Sequence, residues 1–309
     1  MKKHVPVNFC MSATPFKADG TLDESGLRAH LRRIVEAGCG IYLGSPGSGE
    51  GHALSAGELK RLYEIGVEEC KGKVLTYANP PEQRTSEGMI TACKLAVQAG
   101  IEVIEVYQLD GGHNMRPTEA EQEQYYRDIF EAIDHPIALS VHVFSGYLAP
   151  ISLFKKLCSQ YRQIVAAHLV TVPPIYWIEM REALGARVPL YASSRDALQL
   201  MALGAHGYQS GDANLVPWLC RAIGEHHANG KLEQSAAAYA NLIKMAKVLK
   251  EATPRTVKMA MKALDLPGGT GVLRKPHLAP SQAEFDKMAR ELTEFGILNI
   301  ELAARESLG

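Results

Sequence analysis

A small set of side chains in this sequence is of the types that do chemistry, and their spacing groups them. Ser140 and His142 lie two positions apart in an apolar run, so in a strand they share one face. His168 ends a second apolar run, while Glu105 and Tyr107 sit late in a third. His52 and His113 fall in the polar stretches after such runs. An imidazole titrating near neutrality suits the general acid and base of a lyase, hydratase or isomerase, with His168 or His142 in that role and Ser140 beside it. Imidazoles with a carboxylate also suit zinc, manganese or iron, and an ion held by His52, His113, His142, His168 and Glu105 would polarise a bound oxo group. The spacing matches no established metal motif, so no cofactor is assigned and a divalent metal is only a candidate. The histidines would otherwise serve as plain hydrogen-bonding groups at strand ends. A second group is Gly47-Ser48-Gly49-Glu50, whose glycines let backbone N–H groups close around a carboxylate, or make an ordinary tight turn. Tyr107 and Tyr147 are candidate proton-transfer groups, and Arg195 and Asp196 would pair with each other or touch substrate. Cys10 reads as a small core hydrophobe.

These residues need a scaffold, and a β/α alternation runs along the chain to provide it. Apolar strand patterns occur at 5–11, 41–43, 74–78, 103–107, 137–143, 164–169, 188–192 and 207–210. Between them lie helical patterns with punctuation at their ends: Asp23 as a cap, Ser55 with Glu58, Thr85 through Ala99 to Gly100, then 118–133 and 151–161. Strand runs with little alternation imply burial on both faces, as in parallel sheets. Such a series predicts a (β/α)8 barrel over 1–224 in preference to an open sheet. The remainder, 225–309, reads as a helical extension packed on the barrel, with helices over 232–252, 256–264 and 282–302.

Composition excludes several classes. The chain has 309 residues, 46% hydrophobic and 22% charged, with 33 basic against 34 acidic side chains and a formal charge of −1. That balance supplies no long-range field for nucleic acid or an anionic membrane. No apolar run is long enough for a membrane span or a signal-peptide core. The 6 scattered cysteines include no C-x-x-C pair and read as buried thiols of a cytoplasmic protein.

The motifs now in view resemble the dihydrodipicolinate synthase and N-acetylneuraminate lyase family. Thr14-Pro15-Phe16 with Asp19-Gly20 and Asp23 is similar to the family's opening block, and Gly47-Ser48-Gly49-Glu50 with Leu54-Ser55 and Glu58 to its G-[ST]-T-G-E block. Gly207-Tyr208-Gln209-Ser210 with Asn214 and Pro217 resembles the block after strand eight, and Val257-Lys258 and Arg274-Lys275-Pro276 resemble the late signatures, where packing is expected. The resemblance implies a TIM barrel, a homotetramer or homodimer, and a small carboxylated substrate contacted by Gly47, Ser48, Gly49, Glu50 and Ser210. It also implies a strand-six lysine that forms an imine with a 2-oxo acid, and a strand-five tyrosine that relays protons. Here His168 stands at the lysine position, and no lysine occurs between Lys156 and Lys231. The tyrosine position holds Ser140 or Leu139, depending on the anchor, and Phe144-Ser145-Gly146 lacks the substrate-binding arginine. Leu109 and Asp110 stand where a neighbouring chain's tyrosine enters some members' sites. The leading expectation is a lyase, of aldolase or hydro-lyase type, acting on a 2-oxo or hydroxy acid without a Schiff base. The alternatives are a non-catalytic carboxylate binder or regulator, and an aldolase using an unaligned lysine.

Overall fold

In the computed structural model, which describes residues 6–113, 115–250 and 253–309, eight parallel strands close into a barrel in chain order. They are β1 (Asn8–Met11), β2 (Gly40–Leu43), β3 (Thr76–Ala78), β4 (Val103–Tyr107), β5 (Ile137–His142), β6 (Ile164–Val170), β7 (Leu190–Ser193) and β8 (Gly207–Ser210). The outer helices are α1 (Glu24–Glu36), α2 (Ala56–Cys70), α3 (Ser86–Ala99), α4 (Glu119–Ala132), α5 (Ile151–Gln160), α6 (Pro174–Leu184), α7 (Ala197–Ala202) and α8 (Pro217–Ala228). The tail adds α9 (Leu232–Leu249), α10 (Pro254–Ala263), α11 (Gln282–Phe295) and α12 (Ile297–Ser307).

Local chemistry sets the helix ends. The Asp23 side chain accepts from the Gly26 N–H, Ser55 and Glu58 form a reciprocal capping box, and Gly100 closes α3 in the left-handed region. Two expectations need correction. The helix expected over 282–302 is two helices, because Gly296 at φ 75° ends α11 and turns the chain into α12. The barrel's last helix runs to Ala228, so a division at 224/225 falls inside α8. The expected strand start at Val5 and helix end at Ala252 lie outside the described residues.

The interior is layered. Phe9, Tyr42, Tyr77 and Tyr191 plug the lumen towards the strand N-termini, with ring centroids 4.4 Å apart for Phe9–Tyr77 and 5.4 Å for Phe9–Tyr191. Small residues Ala138 and Ala166 face these rings and leave them room. The barrel–helix layer and the tail share one apolar cluster, which includes Leu242, Met245, Val257, Met261 and Leu292. All 6 cysteines are free and buried. Among the described residues, no helix is long and apolar enough to cross a membrane.

His30, fully buried on α1, ties the first and last loops of the barrel together. Its Nε2 lies 2.9 Å from Asn214 Oδ1, which also accepts from the Ala13 N–H at 2.8 Å, so the imidazole donates. Burial, helped by Arg33, pushes the His30 pKa from 6.5 down to about 3. The unfolded chain therefore holds this proton more tightly than the folded one. The stability tied to a neutral His30 is present above the unfolded value of 6.5 and is lost as pH falls towards about 3. The loss amounts to about 1.4 kcal/mol per pH unit. His30→Gln, which keeps a donor, should flatten the stability–pH profile below that value, as urea unfolding at successive pH values would show. A slope identical to the parent's would contradict this assignment.

Candidate active site

Glu105 points into the lumen from β4 and has no exposed surface. An ionised carboxylate in such a place must be surrounded by donors. Its Oε1 accepts from Tyr42 Oη at 2.9 Å and lies 3.1 Å from His168 Nδ1; its Oε2 accepts from Gln209 Nε2 at 2.9 Å. These partners come from β2, β6 and β8, so the carboxylate joins strands around the barrel. A carboxylate only accepts, so His168 Nδ1 carries the hydrogen and Nε2 presents its lone pair. That Nε2 has no partner within the protein.

The neighbours of His168 follow from the strand register. An irregularity between Ile137 and Ala138 resets the β5–β6 pairing, after which Ser140 aligns with His168 on one side and Tyr107 on the other. The buried Ser140 Oγ also lacks a partner. Burial, reinforced by the carboxylates of Glu105 and Glu82, raises the Tyr107 pKa well above the usual phenol value. Tyr107 therefore stays protonated and acts as a hydrogen-bond donor. His142 differs from His168: burial and the nearby His168 push its pKa down to about 4. Its Nδ1 accepts from the Phe144 N–H at 3.3 Å. The expectation that His142 titrates near neutrality is thus corrected.

The loop after β2 is built from three sequence blocks. Thr14 Oγ1 donates to Gly49 O at 2.7 Å, and the Gly49 N–H donates to Ser45 Oγ at 3.3 Å. A Cβ at Gly49 would lie 2.9 Å from Ser45 N, so this close approach needs glycine. The Glu50 N–H is taken by Gly47 O. The N–H groups of Gly47 and Ser48, with the buried Ser48 hydroxyl, have no acceptor among the described residues. Glu50 is not one of the anion contacts: it adopts φ 49° and turns its carboxylate onto Lys258 Nζ of α10, both side chains being buried. The Lys258 ammonium also donates to Val272 O at 3.1 Å and stands 4.0 Å from the Phe16 ring centroid.

Other expected contacts are redirected. Ser210 faces away from the lumen because Gln209 takes the inward position of β8. Its Oγ donates to Asp212 Oδ2 at 3.1 Å and accepts from the Asp212 N–H at 2.9 Å. Arg195 pairs with the buried Asp212 at 3.1 Å, not with Asp196. His52 lies exposed with Nδ1 3.1 Å from Pro46 O, and His113 is exposed at φ 47°. The proposed donor set therefore does not assemble: among the described residues no three His, Cys, Asp or Glu side chains come together as a metal site. Tyr147 donates to Leu109 O and holds the loop after β4. Sequence reasoning missed Tyr42, Gln209 and Asn79; the last is fully buried after β3, with both amide atoms unpartnered.

Together these features define a (β/α)8-barrel protein whose buried polar groups converge inside the lumen around a carboxylate–imidazole pair. Comparison with known proteins narrows the class. The chain belongs to the Dihydrodipicolinate synthetase family, whose sequence profile matches residues 8–295. It is 30% identical over 271 residues to the 4-hydroxy-tetrahydrodipicolinate synthase of Thiobacillus denitrificans, covering 82% of this chain and 85% of that protein. It is 26% identical over 287 residues to the protein of the same name from Methanococcus aeolicus, covering 92% and 97%. The crystal structure of dihydrodipicolinate synthase from Aquifex aeolicus superposes with a TM-score of 0.86 at 21% identity, covering 94% of this chain and 98% of that one. The 4-hydroxy-tetrahydrodipicolinate synthase of Methylacidiphilum fumariolicum gives 0.86 at 21% identity, covering 99% of each. The barrel and the family are those expected from the sequence.

The Glu50–Lys258 pair makes the loop after β2 depend on the tail. Burial pushes the Lys258 pKa down to about 8, against the opposing pull of Glu50. Lys258→Met would strand a buried carboxylate and should cost about 3–5 kcal/mol in denaturant unfolding. The Glu50→Gln/Lys258→Met double variant should recover part of that loss. A double variant no more stable than the single one would contradict the pairing.

Proposed function

We propose that the protein is a lyase of aldolase or hydro-lyase type, acting on a small 2-oxo or hydroxy carboxylic acid with an imidazole in place of an imine-forming lysine. One observation carries this reading: His168 is held by Glu105 through Nδ1, while its Nε2 is unpartnered beside Ser140. The substrate carboxylate would lie against the free N–H groups of Gly47 and Ser48. His168 Nε2 takes a proton from the carbon next to the 2-oxo group, and the C–H electron pair moves onto the oxo oxygen as an enolate. Tyr107 and Ser140 hydroxyls would donate to that oxygen, as preorganised donors to a developing charge. The imidazolium formed is stabilised by Glu105. In a hydro-lyase the enolate then expels a β-hydroxyl, which takes the imidazolium proton and leaves as water. In an aldolase the enolate carbon attacks an aldehyde, whose oxygen takes that proton.

A proton carrier at this position should be worth about 10²–10⁴ in rate. Turnover should therefore be detectable for the parent across a panel of 2-oxo and hydroxy acids and fall by that factor in His168→Ala, with fold intact by circular dichroism. Full activity in His168→Ala would sink the assignment. No turnover by the parent on any member of the panel would favour a carboxylate-binding role instead.

Borohydride treatment in the presence of pyruvate provides an independent check. Without a reactive lysine the intact-protein mass should not change. A reduced adduct would establish imine chemistry and overturn the proposal.

A further inference from the structure

The groups at the mouth of the barrel are unevenly distributed, and their chemistry bears on what the substrate carries beyond its carboxylate. Three rings run outward in contact. Tyr107, at 6% exposure, meets His142 edge-on with centroids 5.7 Å apart, and His142 meets Phe144 at 4.4 Å. Phe144 sits in the helical turn Val143–Ser145 that directly follows β5, at the end of the barrel where strand C-termini open, and is 79% exposed. Its neighbours Val143, Ser145 and Gly146 carry no charge. His142 is neutral at ordinary pH, since burial and His168 hold its pKa near 4, so this row offers no cation.

Two acids, Glu82 and Asp110, act on the tyrosines beside this row. Glu82 follows β3, and desolvation together with the Asp110 carboxylate raises its pKa. Its charge is felt by Tyr107, and that of Asp110 by Tyr147. Asp110 is fixed by the Gly112 N–H at 2.8 Å, and Arg84 packs against the backbone of Gly112. A second carboxylate placed along the ring row would face like charge, whereas an apolar ring would cover Phe144 and gain contact area.

We infer that this site prefers a 2-oxo acid bearing an aromatic or bulky apolar substituent over one bearing a second carboxylate, with Phe144 as the specificity-determining wall. The inference rests on the reading of the lumen as a 2-oxo acid site. Calorimetric titration with pyruvate, phenylpyruvate and 2-oxoglutarate tests it on the parent, Phe144→Ala, Phe144→Trp and Arg84→Ala. The parent should bind phenylpyruvate about tenfold or more tightly than pyruvate, a difference of about 1.4 kcal/mol, and 2-oxoglutarate no more tightly than pyruvate. In Phe144→Ala the phenylpyruvate-to-pyruvate ratio should collapse towards unity, and Phe144→Trp should restore it. Tighter binding of 2-oxoglutarate that is lost in Arg84→Ala would put the second carboxylate on Arg84 and overturn the inference. A ratio unaffected by Phe144→Ala would overturn it too. Pyruvate binding without preference would refute this inference alone, whereas binding of none of the three would refute the reading of the lumen and this inference with it.

Discussion

The carboxylate of Glu105 lies at the centre of the barrel with no exposed surface, and much of the surrounding architecture meets the demands of that one buried acid. An unsatisfied carboxylate in a protein interior costs several kcal/mol at least. The barrel answers with a phenol from β2, an amide from β8 and an imidazole from β6, each within hydrogen-bond distance. Those donors in turn constrain their strands. Tyr42 contributes its ring to the apolar plug and its hydroxyl to the polar layer above. Gln209 takes the inward position of β8 and leaves Ser210 on the outer face. His168 is held in one tautomer, which points a basic nitrogen into the lumen. A structural requirement and a chemical capability thus arise from the same contact.

This arrangement gives a barrel whose sixth strand carries His168 and no lysine a polar centre. The scaffold blocks remain intact: Thr14 clamps Gly49, Glu50 pairs with Lys258, and Asn214 joins the first and last loops. Each is a connection between distant chain segments that shapes the mouth. The interior holds an imidazole, a serine and protonated tyrosines where the resemblance anticipates an amine and a proton-relaying phenol. The loop that would hold a carboxylate keeps two free backbone donors and one hydroxyl, enough for orientation.

Local signals were legible in the sequence, and non-local ones were not. The bounds of β4 and β8 follow from their apolar runs and turn residues, and the caps at Asp23 and Ser55 announce α1 and α2. The split at Gly296 was masked by an apolar periodicity that continues through it. At the site, alternation put Ser140 and His142 on one face of β5, and both lie on the lumen side of that strand. Ser210 was named from the resemblance alone, and the short run Gly207–Ser210 has no pattern that sets its phase, so a one-residue slip exchanges the two faces. Tyr42 and Asn79 were missed because they sit in or beside apolar strands and gain meaning only next to groups far along the chain. Glu50 read as a ligand contact for the same reason: its partner Lys258 is 208 residues away.

The central claim is that His168, polarised by Glu105, moves a proton at the carbon beside a 2-oxo group. Proton NMR of a 2-oxo acid incubated with the protein in heavy water reads that step without requiring the second substrate or the full reaction. The account predicts deuterium wash-in at that carbon with the parent protein, a marked slowing in Glu105→Gln, where the imidazolium loses its counter-charge, and no enzymic exchange in His168→Gln. Exchange that proceeds undiminished in both variants would contradict it.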